Sequence, residues 1–135
     1  MQKMFSKHWV SSKQPRKQRK YRFNAPLHLR QKMISVHLDK ALRKMYKKRS
    51  IPVRTGDEVI IMRGEFRKER GKVTKVDMKK LKIYIDSAKR KKVSGQEVEA
   101  SIDPSNAMIT KLNADDKKRQ KFLRRKGLNQ ETKTE

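Results

Sequence analysis

Five short runs of alternating apolar residues constrain the fold of this chain more than any other sequence feature. The runs are residues 57–62, 71–77, 81–86, 96–100 and 107–112. Apolar side chains recur at every second position, as in Val59 and Ile61 or in Leu81, Ile83 and Ile85. Because successive side chains of a strand point to opposite faces, this period favours strands with one buried face. Runs about ten residues apart, with turn sequences between them, predict a five-stranded all-β barrel.

The other three runs give less regular faces. In residues 71–77, Val73 and Val76 are predicted to point inward with a shift of register between them. In residues 96–100 the inward anchor is predicted to be Val98. In residues 107–112, Met108 is expected to face one way with its alternating neighbours, and Ile109 the other.

Positive charge is concentrated outside this alternating part. The chain has 39 Lys and Arg against 14 Asp and Glu, a formal net charge of +25. Residues 1–50 contain sixteen of these bases and a single acid. We therefore divide the chain into a basic arm (1–23), a helical extension (24–50), the barrel (51–112), and a C-terminal helix with a tail (113–135).

This composition indicates a polyanionic partner. The hydrophobic fraction is 33%, well below the ~45–50% of an average soluble domain. A compact state of this charge is destabilised by self-repulsion, which a polyanion would relieve. Nucleic acid is the first candidate, because its phosphates are dense and release counterions on binding.

Several classes of function lack sequence support. There is no cysteine, so disulfides and Cys-based zinc sites are excluded. No apolar run approaches the roughly 20 residues that span a membrane, and residues 1–13 contain no apolar segment of a secretory signal. The histidines His8, His28 and His37 have no metal-ligand spacing. We expect no enzyme activity, metal or cofactor, since no nucleophile or phosphate-loop motif is present either.

The segments on both sides of the barrel have helix signals. Asn24 can cap a first helix that opens at the following Ala-Pro pair, and Asp39 can begin a second. At the other end, Asn113 or Asp115 can cap a C-terminal helix that Gly127 follows. The last eight residues have no core to join, and we expect them to fray.

The arm combines bases with aromatic residues. Residues 13–22 contain six bases and no acid, so the free arm is predicted to be disordered and to become ordered on a phosphate backbone. Tyr21 and Phe23 follow the bases, and aromatic rings can stack on unpaired RNA bases. For Phe23, packing on the barrel or on the first helix is an equal alternative. Trp9 has no evident core partner, which favours contact with RNA or with a neighbouring protein.

The segment between the first two runs is crowded with charge. Gly64 and Gly71 bracket six residues, five of them charged, and both glycines are predicted to adopt positive φ. RNA phosphates would neutralise Arg67, Lys68 and Arg70 there. The basic run 89–92 is predicted to be a loop that extends the same surface, with Lys89 and Arg90 as contacts.

The acids near this segment are interpreted as local charge partners. Asp57, Glu58, Glu65 and Glu69 each lie within four residues of a base in the sequence. They share no spacing that pairs two carboxylates for acid–base catalysis, so we expect them to temper repulsion in the free protein.

Residues 53–76 resemble a KOW motif, which in its families forms an SH3-like barrel that binds nucleic acid or protein. Around it, the stretches SKQPRKQRK, NAPLHLRQK, RSIPVR and DPSNAMI occur in the order found in one family. This is the universal large-subunit ribosomal protein twenty-four family in its archaeal and eukaryotic form, called twenty-six in eukaryotes. The resemblance covers residues 12–125. The fold it implies is a KOW barrel with a basic arm, one or two short N-terminal helices and a short C-terminal helix.

The resemblance implies a non-enzymatic constituent of the large ribosomal subunit, located in the cytoplasm. Such a protein binds the 5′ region of large-subunit rRNA early in assembly, contacts neighbouring ribosomal proteins, and lies near the nascent-chain exit tunnel. Carried onto this sequence residue by residue, the implied rRNA contacts are Lys13, Arg16, Lys17, Arg19, Lys20, Arg22, Arg30, Lys32, Arg63, Arg67 and Lys72.

Two positions depart from the family pattern. Lys68 stands where the family usually has a glycine in the loop, so the loop backbone here is expected to differ. His37 stands near a position where the family commonly has proline, which allows a continuous helix through 26–47, although we favour a break.

Two other binding functions compete with the ribosomal one. A KOW elongation factor that binds polymerase would have a less basic chain with an adjoining protein-binding domain. A chromatin-like packager would bind duplex DNA with little preference for shape, whereas RNA is recognised through shape, stacking and the 2′-OH.

Overall fold

The computed structural model of the chain describes residues 5, 8, 9, 11–113 and 115–127, with side chains to residue 124. The predicted fraying of the last eight residues lies outside the described residues. The helices among these residues are α1 (Pro15–Asn24), α2 (Leu27–Met33), α3 (Lys40–Tyr46) and α4 (Lys117–Gly127). The described strands are β1 (Ser35–Leu38), β2 (Ser50–Pro52), β3 (Glu58–Ile61), β4 (Arg70–Asp77), β5 (Lys82–Lys91), β6 (Glu97–Ile102) and β7 (Ala107–Lys111). A 3₁₀ turn, Pro104–Asn106, precedes β7. No helix within the described ranges is long and apolar enough to cross a membrane.

The strands form one seven-stranded sheet in the order β2-β1-β7-β3-β4-β5-β6. All pairs are antiparallel except β1 with β7, which run parallel. The mainly β class and the short C-terminal helix were predicted and are confirmed. The prediction of five strands was incomplete, because β1 and β2 add two, and no strand ladder joins β2 to β6 within the described part of the chain.

The first of these added strands separates the two middle helices. The continuous helix through 26–47 is wrong, and the favoured break is confirmed, since β1 lies between α2 and α3. Ile34, Val36 and Leu38 are buried while Ser35 and His37 are half-buried. This alternation has the period of a strand and could have been recognised in the sequence. His37 pairs with Ser50 on one side and Met108 on the other, where a proline would lack its N–H.

One hydrophobic core lies against this sheet. Val59, Ile61, Ile83, Ile85 and Ile109 are each at most 1% exposed, as the alternation predicted for the first four. Other buried members come from every part of the sheet and from α4: Ile34, Val36, Leu38, Ile51, Val53, Val73, Ala88, Ala100, Ile102, Ala107 and Leu123. The prediction for Val98 was wrong, since it is 39% exposed and Ala100 and Ile102 provide the inward face of β6.

Register shifts bend the two longest strands. The shift in β4 falls between Val73 and Lys75 where it pairs with β5, as the spacing of Val73 and Val76 predicted. A second shift falls between Tyr84 and Lys89 where β5 pairs with β6. The basic run 89–92 was predicted to be a loop, but its first three residues belong to β5 and the turn follows them. These three residues are part of a strand because β6 pairs with β5 as far as residue 91.

Gly71 is a glycine for a different reason from the one predicted. It does not adopt positive φ, because it lies inside β4 opposite Val59. A Cβ at this position would collide with the Asp86 carboxylate and would approach Ile85 Cγ2 to 2.7 Å. The strand β5 therefore approaches so closely that only a residue without a side chain fits at position 71.

The capping residues of the helices on both sides of the barrel segment also differ in part from the prediction. Asn24 is the last residue of α1, and α2 follows Pro26 at its N-cap position. Asp39 does occupy the N-cap position of α3. At α4 the Asp116 carboxylate accepts from the Lys118 N–H at 2.8 Å, so Asp116 caps this helix rather than Asn113 or Asp115.

Candidate nucleic-acid interface

Helix α1 presents the bases of the arm to solvent. The arm was predicted to be disordered, but residues 15–24 are helical, with no buried residue. The exposed bases are Lys13, which precedes the helix, and Arg16, Lys17, Arg19, Lys20 and Arg22 within it. Like charges spaced three and four residues apart destabilise a helix, and ten residues are too few to be stable alone. Contacts from outside the helix must therefore hold it.

The first such contact is an aromatic cluster. The Trp9 ring stacks on Tyr21 with centroids 4.2 Å apart and an interplanar angle of 21°. Phe5 approaches the same Tyr21 ring at 4.9 Å. The core of the described residues includes neither ring, as the sequence indicated for Trp9, but helix formation places Tyr21 beside Trp9. Burial of aromatic area and stacking then offset part of the repulsion in α1.

The second contact is Arg30, which was predicted to bind RNA. Its Nη2 donates to the Phe23 carbonyl at 2.5 Å, and its Nε donates to the Ala25 carbonyl at 2.9 Å. A longer bond of 3.5 Å joins Nη1 to the Lys79 carbonyl. Arg30 is half-buried and fastens the C-terminal end of α1 to the turn between β4 and β5. Its guanidinium is thus committed to contacts within the protein.

A groove of about 1010 Å³ separates α1 from the β4–β5 turn. We call this concave surface the arm groove. Arg19, Arg22 and Phe23 line one side, and Lys79 and Lys80 line the other. The turn lysines were not among the predicted contacts, although the lysines at positions 79, 80 and 82 were a usable sign. Only the fold brings this run opposite the arm, which is about 60 residues earlier in the chain.

The β4–β5 turn that forms this second side is held by its own acid. The Asp77 Oδ1 accepts from the backbone N–H of Lys80 at 3.0 Å and of Lys79 at 2.9 Å. These bonds, that from Lys80 first, hold the pKa of the Asp77 carboxyl below its ordinary value. At the edge of the groove, Lys82 Nζ is paired with Asp103 Oδ1 at 2.6 Å. The groove therefore has fixed backbone on the turn side.

The charged loop between β3 and β4 has the geometry of a tight, closed turn. The Lys68 N–H donates to the Ile61 carbonyl at 2.8 Å, and the Ile61 N–H donates to the Glu69 carbonyl at 3.0 Å. Gly64 has φ +96°, as predicted. Lys68 has φ +73°, the left-handed conformation that a glycine adopts without strain. The backbone at Lys68 thus has the conformation that favours glycine, the residue that the family usually has at this position.

Long-range contacts attach this loop to β5. Glu65 Oε2 accepts from Arg90 Nη2 at 2.6 Å, and the Arg90 guanidinium lies 5.7 Å from the Phe66 ring centre. Glu65 was predicted to have a local partner, but its partner is 25 residues away. Lys89 Nζ similarly lies 3.8 Å from Glu97. Arg67 and Arg70 are exposed, and within the part of the chain that the structure describes their guanidinium groups have no ion-pair partner.

The remaining predicted contacts are exposed but scattered. Lys32 lies at the end of α2, and Lys72 lies on β4, where its backbone N–H donates to Asp86 at 2.9 Å. Arg63 lines a smaller hollow with Arg90 beside the loop. We call residues 62–70 together with Arg90 the loop surface.

The arm groove and the loop surface meet at the turn that contains Pro104. Asp103, Pro104 and Ser105 line the arm groove. Asp103 and Asn106 line the hollow beside the loop, and the Asn106 carbonyl accepts from the Met62 N–H at 2.7 Å. Residues far apart in the sequence thus form one basic face around residues 103–106.

A buried ion pair is formed by two residues that line neither the arm groove nor the hollow beside the loop. Asp57 is fully buried and Arg119 is 3% exposed. Arg119 Nη1 and Nη2 donate to the two Asp57 oxygens at 2.5 and 2.7 Å. The prediction of a local partner for Asp57 was wrong, since Arg119 is 62 residues away on α4. Among the described residues no group of His, Asp or Glu is arranged to hold a metal ion.

Comparison with known proteins identifies the family to which this arrangement belongs. The family of ribosomal proteins that comprises eukaryotic L26 and its archaeal L24-type counterpart matches residues 12–126. The chain belongs to this family. The match begins at the arm and ends within α4, so it includes every element that forms the basic face.

Two archaeal relatives named "Large ribosomal subunit protein uL24" are similar over nearly their whole length. The relative from Methanothrix thermoacetophila is 50% identical over 114 residues, which are 84% of this chain and 98% of the relative. The relative from Methanosphaera stadtmanae is 46% identical over 115 residues, 85% of this chain and 98% of the relative. This ribosomal protein family is structural and not enzymatic, which agrees with the expectation drawn from the sequence.

Proposed function

We propose that this chain is a constituent of the large ribosomal subunit that binds large-subunit rRNA directly through the joined arm groove and loop surface. The observation that carries the proposal is the meeting of these two basic surfaces around residues 103–106. Phosphates laid along this face would neutralise charge from three separate segments at once, which are α1, the β4–β5 turn and the loop between β3 and β4. That requirement for a polyanion explains why the chain keeps a net charge of +25.

The contact residues proposed from this geometry differ in part from those the sequence suggested. Exposed bases of α1 and of the loop remain, together with the turn lysines Lys79 and Lys80. Arg30 is omitted because its guanidinium is bound to three carbonyls. Arg90 is proposed to position the loop through Glu65 rather than to be a principal phosphate ligand.

We further infer that β3–β7 form a KOW module of the SH3-like class. Support comes from the register shifts in β4 and β5, which bend these strands so that β3, β5 and β7 share one core. The strands β1 and β2 would then be an addition to the edge of that module.

The family match also supports finer proposals about the place of this protein in the ribosome. The named relatives are large-subunit proteins, so we propose binding to the 5′ region of the large-subunit rRNA early in assembly. In the cytoplasm, the assembled chain would lie on the subunit exterior near the exit tunnel and contact neighbouring ribosomal proteins.

Co-sedimentation tests the ribosomal assignment. We expect the tagged chain, expressed in its own cell type, to remain on the large subunit after a high-salt wash, at close to one copy per particle. Release from the subunit, with the chain recovered on polymerase or chromatin, would contradict the proposal. In that case the description of the fold would still hold, and the partner of the basic face would be another polyanion or a protein.

Charge reversal in the loop tests the direct RNA contact. We expect Arg67→Glu with Arg70→Glu to weaken binding to an rRNA transcript and to make the log–log salt slope shallower by about 1.4–1.8, for two lost phosphate contacts. Both side chains are exposed and unpaired within the described residues, so the melting temperature should change little. The matched control is Lys40→Glu with Lys44→Glu on α3. Unchanged rRNA affinity in the loop variant would remove the loop from the interface.

A further inference from the structure

We propose that the arm groove binds an unpaired RNA nucleotide whose base stacks on Phe23. The inference rests on the proposed rRNA-binding function and adds the conformation of the RNA that the site accepts. It also gives one apolar side chain a role in distinguishing single-stranded from double-stranded RNA.

Exposure separates Phe23 from the other aromatic residue of α1. The Phe23 side chain is 69% exposed at the end of the helix. Two residues earlier, Tyr21 is covered by the Trp9 and Phe5 rings. Tyr21 thus packs α1 against the preceding aromatic residues, whereas the Phe23 ring keeps a face that is accessible to a ligand.

The surroundings of this ring are cationic on both sides. Arg16 and Lys20 lie with Phe23 on the outer side of α1, and Arg19 and Arg22 lie with it in the arm groove. An apolar protein surface docking here would bury these charges without partners, which is costly. A nucleotide meets both requirements, because its phosphate pairs with the bases and its ring system covers the phenyl face.

The backbone on both sides of the groove is fixed before any ligand binds. On the α1 side, Arg30 donates to the Phe23 carbonyl at 2.5 Å and to the adjoining Ala25 carbonyl at 2.9 Å. On the turn side, Asp77 accepts from the Lys79 and Lys80 N–H groups. A preformed site of this kind loses less conformational entropy when the ligand binds.

The dimensions and the chemistry of the groove favour unpaired RNA. Its volume of about 1010 Å³ is at the upper end of the roughly 300–1,000 Å³ of pockets that enclose small molecules, so one nucleotide and its flanking phosphates have room. In an A-form duplex the faces of the bases are covered by their neighbours, and only loops, bulges and ends expose them. Phe23 can therefore stack on an unpaired base and not on a paired one.

Substitution of the ring tests this inference on two RNA probes. The probes are a twelve-nucleotide single-stranded RNA and a long RNA duplex, in which the exposed terminal base pairs are few, at the same salt concentration. Phe23→Ala is expected to lower affinity for the single strand about five- to a hundred-fold, the range for loss of one base–aromatic stack. Affinity for the duplex should stay within about two-fold, because phosphate contacts alone carry it. Phe23→Trp should keep the single-strand affinity.

The control is Leu27→Ala on α2, an apolar side chain that is 64% exposed and outside the arm groove. It should bind both RNAs as the unaltered protein does. If Phe23→Ala binds the single strand normally, or loses both RNAs equally, the stacking site is overturned while RNA binding stands. If the unaltered protein binds neither probe nor an rRNA transcript, the proposed function itself fails.

Discussion

Replacing Asp57 with alanine is expected to lower the free energy of unfolding by about 3–5 kcal/mol, the cost of removing one partner from a buried ion pair. The Arg119 guanidinium is 3% exposed and donates to both Asp57 oxygens. The variant leaves this charge buried, and among the described residues the Asn113 carbonyl remains as its acceptor. The backbone N–H groups of Arg54 and Asn113 also lose their acceptor. Urea denaturation followed by circular dichroism measures the loss.

Two further variants show whether the unpaired charge is the cause. Asp57→Ala combined with Arg119→Met removes both charges and should recover part of the stability that Asp57→Ala loses. Glu58→Ala breaks an exposed pair with Lys111, 3.7 Å long, and should cost less than about 1 kcal/mol. A loss from Asp57→Ala as small as that from Glu58→Ala would mean that the buried pair does not stabilise the fold.

This ion pair connects the end of the chain to the sheet. Asp57 immediately precedes β3, and Arg119 lies in the first half of α4. Leu123, on the same helix, is buried in the core. The Arg54–Asp116 ion pair adds an exposed contact at the start of this helix. We therefore expect α4 to unfold together with the sheet rather than before it.

Removing four bases from the two sides of the arm groove is expected to lower rRNA affinity about a hundred- to a thousand-fold near physiological salt. The variant is Arg19→Ala, Arg22→Ala, Lys79→Ala and Lys80→Ala, all exposed residues that line the groove. Four lost phosphate contacts should also make the log–log salt slope shallower by about 3. Filter binding or fluorescence anisotropy across a salt series measures both quantities.

A matched control removes the same number of positive charges from residues outside the arm groove. Lys40→Ala, Lys44→Ala, Lys117→Ala and Lys121→Ala remove four exposed bases from α3 and α4. This control should lose far less affinity, and its salt slope should change little. Equal losses in the two variants would mean that affinity follows the net charge of the chain and not the position of its bases.

The sequence predicted the parts of this protein that depend on local periodicity. Alternation predicted that Val59, Ile61, Ile83 and Ile85 are buried and indicated a mainly β fold. A strand with one buried face needs an apolar residue at every second position, so its environment can be read from the sequence. Local turn chemistry was recognised at Gly64. The period of a strand was also present at residues 34–38, but a helix signal on each side of this short run obscured it.

The tertiary structure alone decided which of the many bases are left exposed and unpaired among the described residues. Lys and Arg look alike in the sequence whether they face solvent, a carbonyl or a buried acid. The fold assigned Arg30 to three carbonyls, Arg119 to Asp57, and Arg90 to Glu65. It also placed Lys79 and Lys80 opposite the arm. A periodic pattern tells which way a side chain points, but its partner is set by chain segments tens of residues away, which only packing of the whole chain brings together.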